Sequence, residues 1–567
     1  MPRRPTVLVL ALAALLGALM PSGLLGVEKQ TVMVPMADGV RLATDVYLPD
    51  GEGPWPVILE RTPYNRRGGG AAAVAARLGY AGVIQDVRGR FESEGENLPF
   101  IGCGWVDHAD GADTIAWIRK QTWSNGKIGT FGGSAGGITQ NLTAGAAPDG
   151  LVCQYIVVAA ANLYTDAAYP GGALRKEQVE QWTSQHHFDP KAMDVWREHP
   201  AFDAYWQRFD STGKHAVMNA PAVHVGGWFD TFSQGTIDAF AGRQYAGGPG
   251  ARGRQKLVMG PWTHGGIAQP KQGDLVFRDS IPPLTYDMIQ WFACHLKGGS
   301  QVIMDEPAVA YYVMGDCSSA DAPGNAWRFA PRWPIPATET PYYFGKGGGL
   351  STERPAAGEA VAEYTFDPAD PCPTIGGRNL TIPAGPMNQN PIEGRKDVLT
   401  FTTAPLEAPL EVTGRVVARL CVASSAVDTD LSVRLSDVYP DGASYIMTDG
   451  ILRLRYRESL ADPKPLEPGK VYEVAVDCWS TSVVFNKGHR IRVTVTSSNY
   501  PRYDLNPGTG KPWAEGCESL KQANRIFCDA AHPSRIVLPV VEARPAAQAV
   551  DAGRPGPSPQ PGKGGAG

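Results

Sequence analysis

The sequence predicts an α/β protein in which a largely parallel sheet is followed by an all-β region. Between residues 40 and 140, apolar strand-like runs alternate with helical patterns, which is typical of a parallel sheet with helices on its faces. From about residue 308, short alternating runs recur between Pro, Gly and Asp turns, which is typical of a β-sandwich or jelly roll. The 66 glycines and 48 prolines among 567 residues argue against a long all-helical protein.

Individual elements can be predicted in chain order. Strands are expected at 40–49, 56–64, 81–89 and 127–131, and helices at 71–81 and 107–121. The region 151–219 has clustered aromatic residues at helical spacing and no clear strand, so it is expected to be a helical insertion. Two further strands, 222–228 and 256–263, each end in polar residues, where a parallel strand would open onto a cleft.

Charge and hydropathy exclude two classes of protein. The 52 Lys and Arg residues against 57 Asp and Glu give a formal charge of −5, so there is no broad positive field and nucleic-acid binding is not expected. After the first segment, no stretch of 18 apolar residues follows, so we expect no stable membrane span once that segment is removed.

Residues 1–26 have the pattern of a secretory signal peptide. Two arginines, Arg3 and Arg4, precede an apolar run at 7–20, and small and helix-breaking residues follow it. The run is short for a bilayer span, which needs about 20 residues. We therefore expect a secreted or periplasmic protein, with an uncleaved N-terminal anchor as the alternative. Nine cysteines without a CxxC pair fit an oxidising compartment, and Cys517 with Cys528 is a candidate disulfide.

The sharpest local motif is the run Gly132-Gly133-Ser134-Ala135-Gly136. In an α/β-hydrolase the nucleophilic serine sits on a tight turn between a strand and a helix, and small neighbours let the two backbone segments approach. The context fits, because a strand pattern precedes Ser134 and a helical pattern follows it. Taken alone, the motif is equally compatible with an ordinary glycine-rich turn.

Two later residues complete a possible catalytic triad. Asp230 and His264 follow the two predicted strands, and the order Ser, Asp, His is the one this fold uses. Each has a plainer interpretation, since Asp230 could cap a helix and His264 could be a buried structural histidine. Tyr64, after the early strand, is placed to supply an oxyanion-hole hydroxyl beside the backbone N–H of Ala135, or it is a structural tyrosine at a Pro turn.

Several motifs together resemble the cocaine esterase / X-Pro dipeptidyl-peptidase (S15) group of hydrolases. The motifs of the first half are RTPY (61–64), DVRGRFESEG (86–95), WSNGKIGTFGGSAGG (123–137), GGWFDTF (226–232) and GPWTH (260–264). Those of the second half are LSVRLSDVYPDG (431–442) and FNKGHRIRVTVTSSNYPRYDLNPGTG (485–510). The resemblance extends over about 32–541.

This resemblance implies a role for each matching residue. Ser134 would be the nucleophile, His264 the general base and Asp230 the residue that orients it. Tyr64 and Ala135 would form the oxyanion hole. Phe232 matches a position that lines the acyl pocket. Trp228, which lies beside Asp230 in the sequence, is a candidate for the pocket wall from its position alone, and packing at the strand end is an equal alternative. No cofactor and no metal are expected.

Two positions depart from the pattern of the group. Many members have Tyr after the nucleophile, where this chain has Ala135. The α-amino-acid ester hydrolases of the group have a carboxylate three residues after the serine, where this chain has Gly137. Because nothing is then dedicated to a substrate ammonium, esters are expected more than amides. The oligomeric state is left open.

The expected function is therefore a secreted serine hydrolase that cleaves small-molecule esters, and by extension amides, through an acyl-enzyme. One alternative is an X-Pro dipeptidyl-peptidase or acylase that acts on peptide or amide substrates. A second is a non-catalytic carbohydrate-binding protein. The expected domains are a signal peptide (1–26), an α/β-hydrolase catalytic domain (27–150 and 220–305), a helical cap (151–219), a galactose-binding-like β jelly roll (306–541) and a disordered tail (542–567).

Overall fold

The computed structural model describes residues 27–358 and 360–542. In this part of the chain, no helix is both long and apolar enough to cross a membrane. The predicted signal peptide (1–26) lies outside the described residues, as do residues 543–567 of the predicted tail.

A large, mainly parallel sheet organises the first half of the chain. Its described strands, with one short hairpin (β9 and β10), are β1 (Lys29–Pro35), β2 (Arg41–Tyr47), β3 (Trp55–Thr62), β4 (Ala81–Asp86), β5 (Ser124–Gly133), β6 (Leu151–Val157), β7 (Ala222–Phe229), β8 (Lys256–Thr263), β9 (Lys271–Gln272), β10 (Leu275–Val276), β11 (Val309–Val313) and β12 (Ala326–Ala330). The sheet order is β1-β2-β4-β3-β5-β6-β7-β8-β11-β12. From β4 to β11 all neighbours are parallel, so their carboxyl ends meet at one edge.

Helices cover both faces of this sheet. The described α-helices are α1 (Gly70–Arg77), α2 (Asp110–Arg119), α3 (Ala135–Gly145), α4 (Lys176–Gln185), α5 (Lys191–Glu198), α6 (Ala204–Gln207), α7 (Ser233–Ala246), α8 (Met288–Lys297), α9 (Val302–Asp305) and α10 (Asn390–Glu393). Helices α1 and α8 pack on one face, whereas α2, α3 and α7 pack on the other. Because successive side chains of a strand point to opposite faces, each buried strand contributes apolar side chains to both layers.

Two antiparallel sheets pack together in the second half. The described strands are β13 (Thr338–Phe344), β14 (Leu350–Ser351), β15 (Val361–Phe366), β16 (Leu399–Thr402), β17 (Leu410–Ser424), β18 (Asp430–Val438), β19 (Ser444–Arg453), β20 (Tyr472–Phe485), β21 (Arg490–Thr496), β22 (Gln522–Phe527) and β23 (Arg535–Val541). One sheet has the order β14-β13-β23-β17-β22-β15 with β20 also paired to β17, and the other has the order β16-β21-β18-β19. Apolar residues of both sheets share one core. The jelly-roll assignment stays a prediction.

Two differences from the sequence interpretation concern strands in the middle and at the far end of the large sheet. Residues 151–157, expected to be part of a helical insertion, form β6 in the middle of the large sheet. A short apolar run cannot be assigned to strand or helix from periodicity alone. The sheet also continues beyond residue 305 into β11 and β12, because the apolar β11 pairs in parallel with β8.

The cysteines do not cross-link the fold. All nine lie within the described residues, and each is a free thiol, so the predicted pairing of Cys517 with Cys528 is wrong. Seven of the nine are buried. They behave as small apolar side chains, which is the common use of an unpaired cysteine in a protein core.

Candidate active site

Ser134 lies on a sharp turn between β5 and α3. Its φ of 56° and ψ of −126° are in a region that costs free energy for any residue with a side chain. Neighbouring glycines permit the turn, since a Cβ on Gly132 would lie 2.8 Å from the carbonyl oxygen of Gly136. A Cβ on Gly137 would lie 2.7 Å from the Cβ of Ala159. The turn therefore presents the Ser134 hydroxyl at the carboxyl edge of the sheet.

His264 and Asp230 lie beside Ser134, at the ends of the neighbouring strands β8 and β7. His264 Nε2 is 2.9 Å from Ser134 Oγ, and His264 Nδ1 is 2.6 Å from Asp230 Oδ1. The Asp230 side chain is fully buried, and its Oδ2 accepts a hydrogen bond from the backbone N–H of Phe232 at 3.1 Å. A histidine held in this way by a buried carboxylate can take a proton from a serine hydroxyl.

The Tyr64 hydroxyl is directed at the same turn. Trp182 Nε1 donates a hydrogen bond to it at 3.0 Å, and it also interacts with the Ser134 hydroxyl and the backbone N–H of Ala135. Burial raises the pKa of the Tyr64 phenol, and these three interactions oppose the rise. The phenol is therefore protonated at neutral pH and can donate to a developing negative charge next to the Ala135 N–H.

A narrow, mostly apolar cavity of about 30 Å³ opens beside Ser134, and we call it the Ser134 cavity. It is lined by Phe100, Ser134, Ala135, Ile138, Leu163, Ala167, Gln178, Val179, Trp182, Trp196, Phe232 and Leu380. None of these side chains carries a charge. Across residues 27–358 and 360–542, no group of three or more His, Cys, Asp or Glu side chains is placed to hold a metal ion.

Of the two predicted pocket residues, only Phe232 reaches the cavity. Its ring lines the cavity and meets the His264 ring edge-on, with the ring centroids 5.5 Å apart. Trp228 does not line it, and that prediction is wrong. Its side chain is fully buried in the core shared with the second half, where its Nε1 donates to the Tyr312 carbonyl and its ring packs on Trp333.

Two residues at the site were not predicted from the sequence. Trp182 on α4 both lines the Ser134 cavity and donates to Tyr64. The spacing of Trp182 and His186 by four residues was a usable signal, because it places two aromatic side chains on one helix face. Leu380 comes from the second half of the chain, in a loop with no pattern of its own, and nothing in the sequence indicates its position.

Comparison with known proteins identifies the family. The model of the X-Pro dipeptidyl-peptidase (S15 family) matches residues 38–193 and 180–266, and that of the X-Pro dipeptidyl-peptidase C-terminal non-catalytic domain matches 300–537. The cocaine esterase of Rhodococcus sp. (strain MB1 Bresler) is 37% identical over 581 residues, which cover 90% of this chain and 98% of that protein. The chain belongs to the S15 family. It is a serine hydrolase, as the sequence motifs predicted.

Two solved structures are similar to this chain over most of its length. An aminopeptidase from a marine sediment Thaumarchaeota archaeon has a TM-score of 0.79 at 28% identity, covering 95% of this chain and 98% of that one. An α-amino acid ester hydrolase has a TM-score of 0.77 at 28% identity, covering 91% of this chain and 96% of that one. The predicted fold class, an α/β-hydrolase with a C-terminal β region, is thereby confirmed.

Proposed function

We propose that this S15 hydrolase cleaves small-molecule esters through a covalent acyl-enzyme on Ser134. The observation that carries the proposal is the linked pair of contacts from Ser134 Oγ to His264 Nε2 (2.9 Å) and from His264 Nδ1 to Asp230 (2.6 Å). An alkyl hydroxyl is a weak nucleophile until a base within hydrogen-bond reach removes its proton, and His264 is within that reach.

The chemical steps follow from these contacts. Ser134 Oγ attacks the ester carbonyl carbon while its proton passes to His264 Nε2, and Asp230 stabilises the imidazolium that forms. The negative charge that develops on the carbonyl oxygen is stabilised by the Tyr64 hydroxyl and the Ala135 N–H. His264 then protonates the leaving alkoxide. A water molecule, activated by His264, hydrolyses the acyl-enzyme and restores Ser134.

The lining of the Ser134 cavity favours substrates whose acyl group is uncharged and apolar. Gln178 and Ser134 are the polar side chains among its lining residues, and no carboxylate is present to pair with a substrate ammonium. Position 137, three residues after the serine, is a glycine that packs against Ala159. The charged α-amino group of a peptide substrate would therefore lose its hydration in this cavity without gaining an ion pair, which is unfavourable.

The proposal is tested by hydrolysis of p-nitrophenyl acetate and butyrate beside cleavage of Gly-Pro-p-nitroanilide, for the wild type and Ser134→Ala. We expect ester turnover that falls more than about 10³-fold in Ser134→Ala, and no anilide cleavage. Anilide cleavage lost with Ser134 would favour the peptidase alternative. No turnover of either substrate, with no labelling by a fluorophosphonate probe, would exclude the acyl-enzyme and leave the carbohydrate-binding alternative.

We further propose that the protein is exported. The support is the sequence of residues 1–26, in which Arg3 and Arg4 precede the apolar run at 7–20. Fractionation of expressing cells, with N-terminal sequencing of the recovered protein, tests this. A protein retained in the cell with Met1 still present would contradict it.

A further inference from the structure

A second, larger cavity lies on the other face of the sheet, under helices α1 and α8. Its volume is about 320 Å³, which is within the range of small-molecule pockets. We call it the α1–α8 cavity. It shares no lining residue with the Ser134 cavity, but Tyr64 and Gly133, the residue before Ser134, form part of its wall. It is thus distinct from the Ser134 cavity, and it extends to the oxyanion-hole residue Tyr64.

The charged side chains that line the α1–α8 cavity are Glu60 on β3 and Asp287 at the start of α8. No lysine, arginine or histidine lines it. Among the described residues, the Glu60 carboxyl has no hydrogen-bond or ion-pair partner, and burial raises its pKa to about 7. In Asp287, Oδ1 accepts hydrogen bonds from the first turn of α8, and no partner is found among the described residues for Oδ2.

The rest of the wall is apolar and aromatic. Phe131 and Tyr155 project from β5 and β6, and Tyr286 precedes α8. The Tyr155 hydroxyl is already used, because it donates to the Tyr286 carbonyl at 3.0 Å. Aromatic rings attract cations through their faces, and apolar walls favour a hydrophobic body. Glu60 is only partly exposed. Its ionised carboxylate is stabilised when a positive group pairs with it in these surroundings.

We propose that the α1–α8 cavity binds an apolar organic cation, with the ligand's ammonium paired to Glu60 and its body against the aromatic wall. An alkyl chain or aryl ring of such an amine replaces water on the apolar strands β5 to β8. Asp287 adds a second negative charge at the α8 end. Binding does not depend on a reaction at Ser134, so this inference stands or fails independently of the proposed esterase activity.

Calorimetric titration of the full-length protein at pH 8 tests the charge preference. The probes are 4-phenylbutylamine and its neutral analogue 4-phenylbutan-1-ol. We expect saturable binding of the amine and binding of the alcohol that is at least about tenfold weaker. In Glu60→Gln the amine should bind about as weakly as the alcohol. Glu407→Gln, the same change at an exposed loop residue of the β region, should bind both probes as the wild type does.

Two further variants locate the binding. Ala71→Phe on α1 fills the cavity and should abolish binding of both probes. If its melting temperature is lower than that of the wild type, Ala71→Leu, which introduces a smaller side chain, replaces it in the test. Ser134→Ala should bind both probes normally. Absence of saturable amine binding to the wild type overturns the proposal. So does equal amine affinity of the wild type and Glu60→Gln, or amine affinity unchanged in both Ala71 variants.

Discussion

At the scale of single residues, Tyr64 stands between the indole of Trp182 and the turn at Ser134. The indole N–H can only donate, so the phenol oxygen must accept from it. The phenol proton is then free to point toward Ser134 Oγ, and the Ala135 N–H is a second donor beside it. Trp182 is accordingly a positioning residue for Tyr64 as well as a wall of the Ser134 cavity.

Tyr64→Phe removes this hydroxyl and keeps the ring. Because one donor to the developing oxyanion is lost, we expect kcat for p-nitrophenyl butyrate to fall about 10²-fold with little change in KM. Tyr343→Phe is the matched control, since no partner for its hydroxyl is found among the described residues. Equal kcat in the wild type and Tyr64→Phe would remove Tyr64 from the oxyanion hole.

The raised pKa of Glu60 also makes the free energy of unfolding depend on pH. Its pKa is about 7 in the folded protein and ordinarily 4.5, so the folded state binds more protons than the unfolded state between these values. The free energy of unfolding should therefore fall as pH rises from about 4.5 to 7. We expect Glu60→Gln to be about 1 to 3 kcal/mol more stable than the wild type at pH 8 and equally stable near pH 4. Urea unfolding of the wild type, Glu60→Gln and the control Glu407→Gln at both pH values measures these free energies. Identical unfolding curves of the wild type and Glu60→Gln at pH 8 would contradict the prediction.

At the scale of elements, the approach of α3 to β6 depends on Gly137. A Cβ there would lie 2.7 Å from the Cβ of Ala159 and 3.0 Å from the carbonyl oxygen of Val157, and neither atom is the end of a flexible side chain. The helix would have to move away from the sheet. Because α3 begins directly after Ser134, its displacement would also move the hydroxyl relative to His264.

We therefore expect Gly137→Ala to lower the free energy of unfolding by about 1 to 3 kcal/mol and kcat by about tenfold or more. Gly394→Ala is the control, because a Cβ there meets no atom within 4 Å. Thermal unfolding and p-nitrophenyl butyrate turnover are measured for both variants. If Gly137→Ala behaves like the control, close packing at this glycine is not what sets the turn.

At the scale of the whole molecule, the two halves share the site. Leu380 of the second half lines the Ser134 cavity, and Glu177 on α4 accepts hydrogen bonds from the backbone N–H groups of Thr381 and Ile382 beside it. Gln234 on α7 likewise accepts from the Ser480 backbone N–H. The β region therefore forms part of the cavity wall.

Leu380→Ala should enlarge the Ser134 cavity without touching the groups that react. We expect kcat/KM for p-nitrophenyl hexanoate to rise about tenfold relative to the butyrate, since each methylene in an apolar pocket is worth about 1 to 3 kcal/mol. The control is Leu520→Ala, at a side chain 45% exposed. An unchanged ratio would mean that Leu380 does not limit the acyl group.

The sequence was most informative where function depends on local geometry. The glycines around Ser134 and the polar ends of β7 and β8 could be recognised because a turn and a strand end leave patterns a few residues long. Leu380 and Glu60 could not, because their roles depend on segments hundreds of residues apart. Trp228 was misplaced for a related reason: from the sequence, a strand-end side chain can face either layer.

The cysteines described above have a practical consequence for labelling. Seven thiols are buried, and burial raises the pKa of the half-buried Cys317 to about 12, so little reactive thiolate forms there at neutral pH. Cys517, also half-buried, lies in a loop before β22, among exposed neighbours. A maleimide dye should therefore attach to Cys517 first. The natural chain would then carry one fluorophore on its β region, ready for single-molecule work without any engineered cysteine.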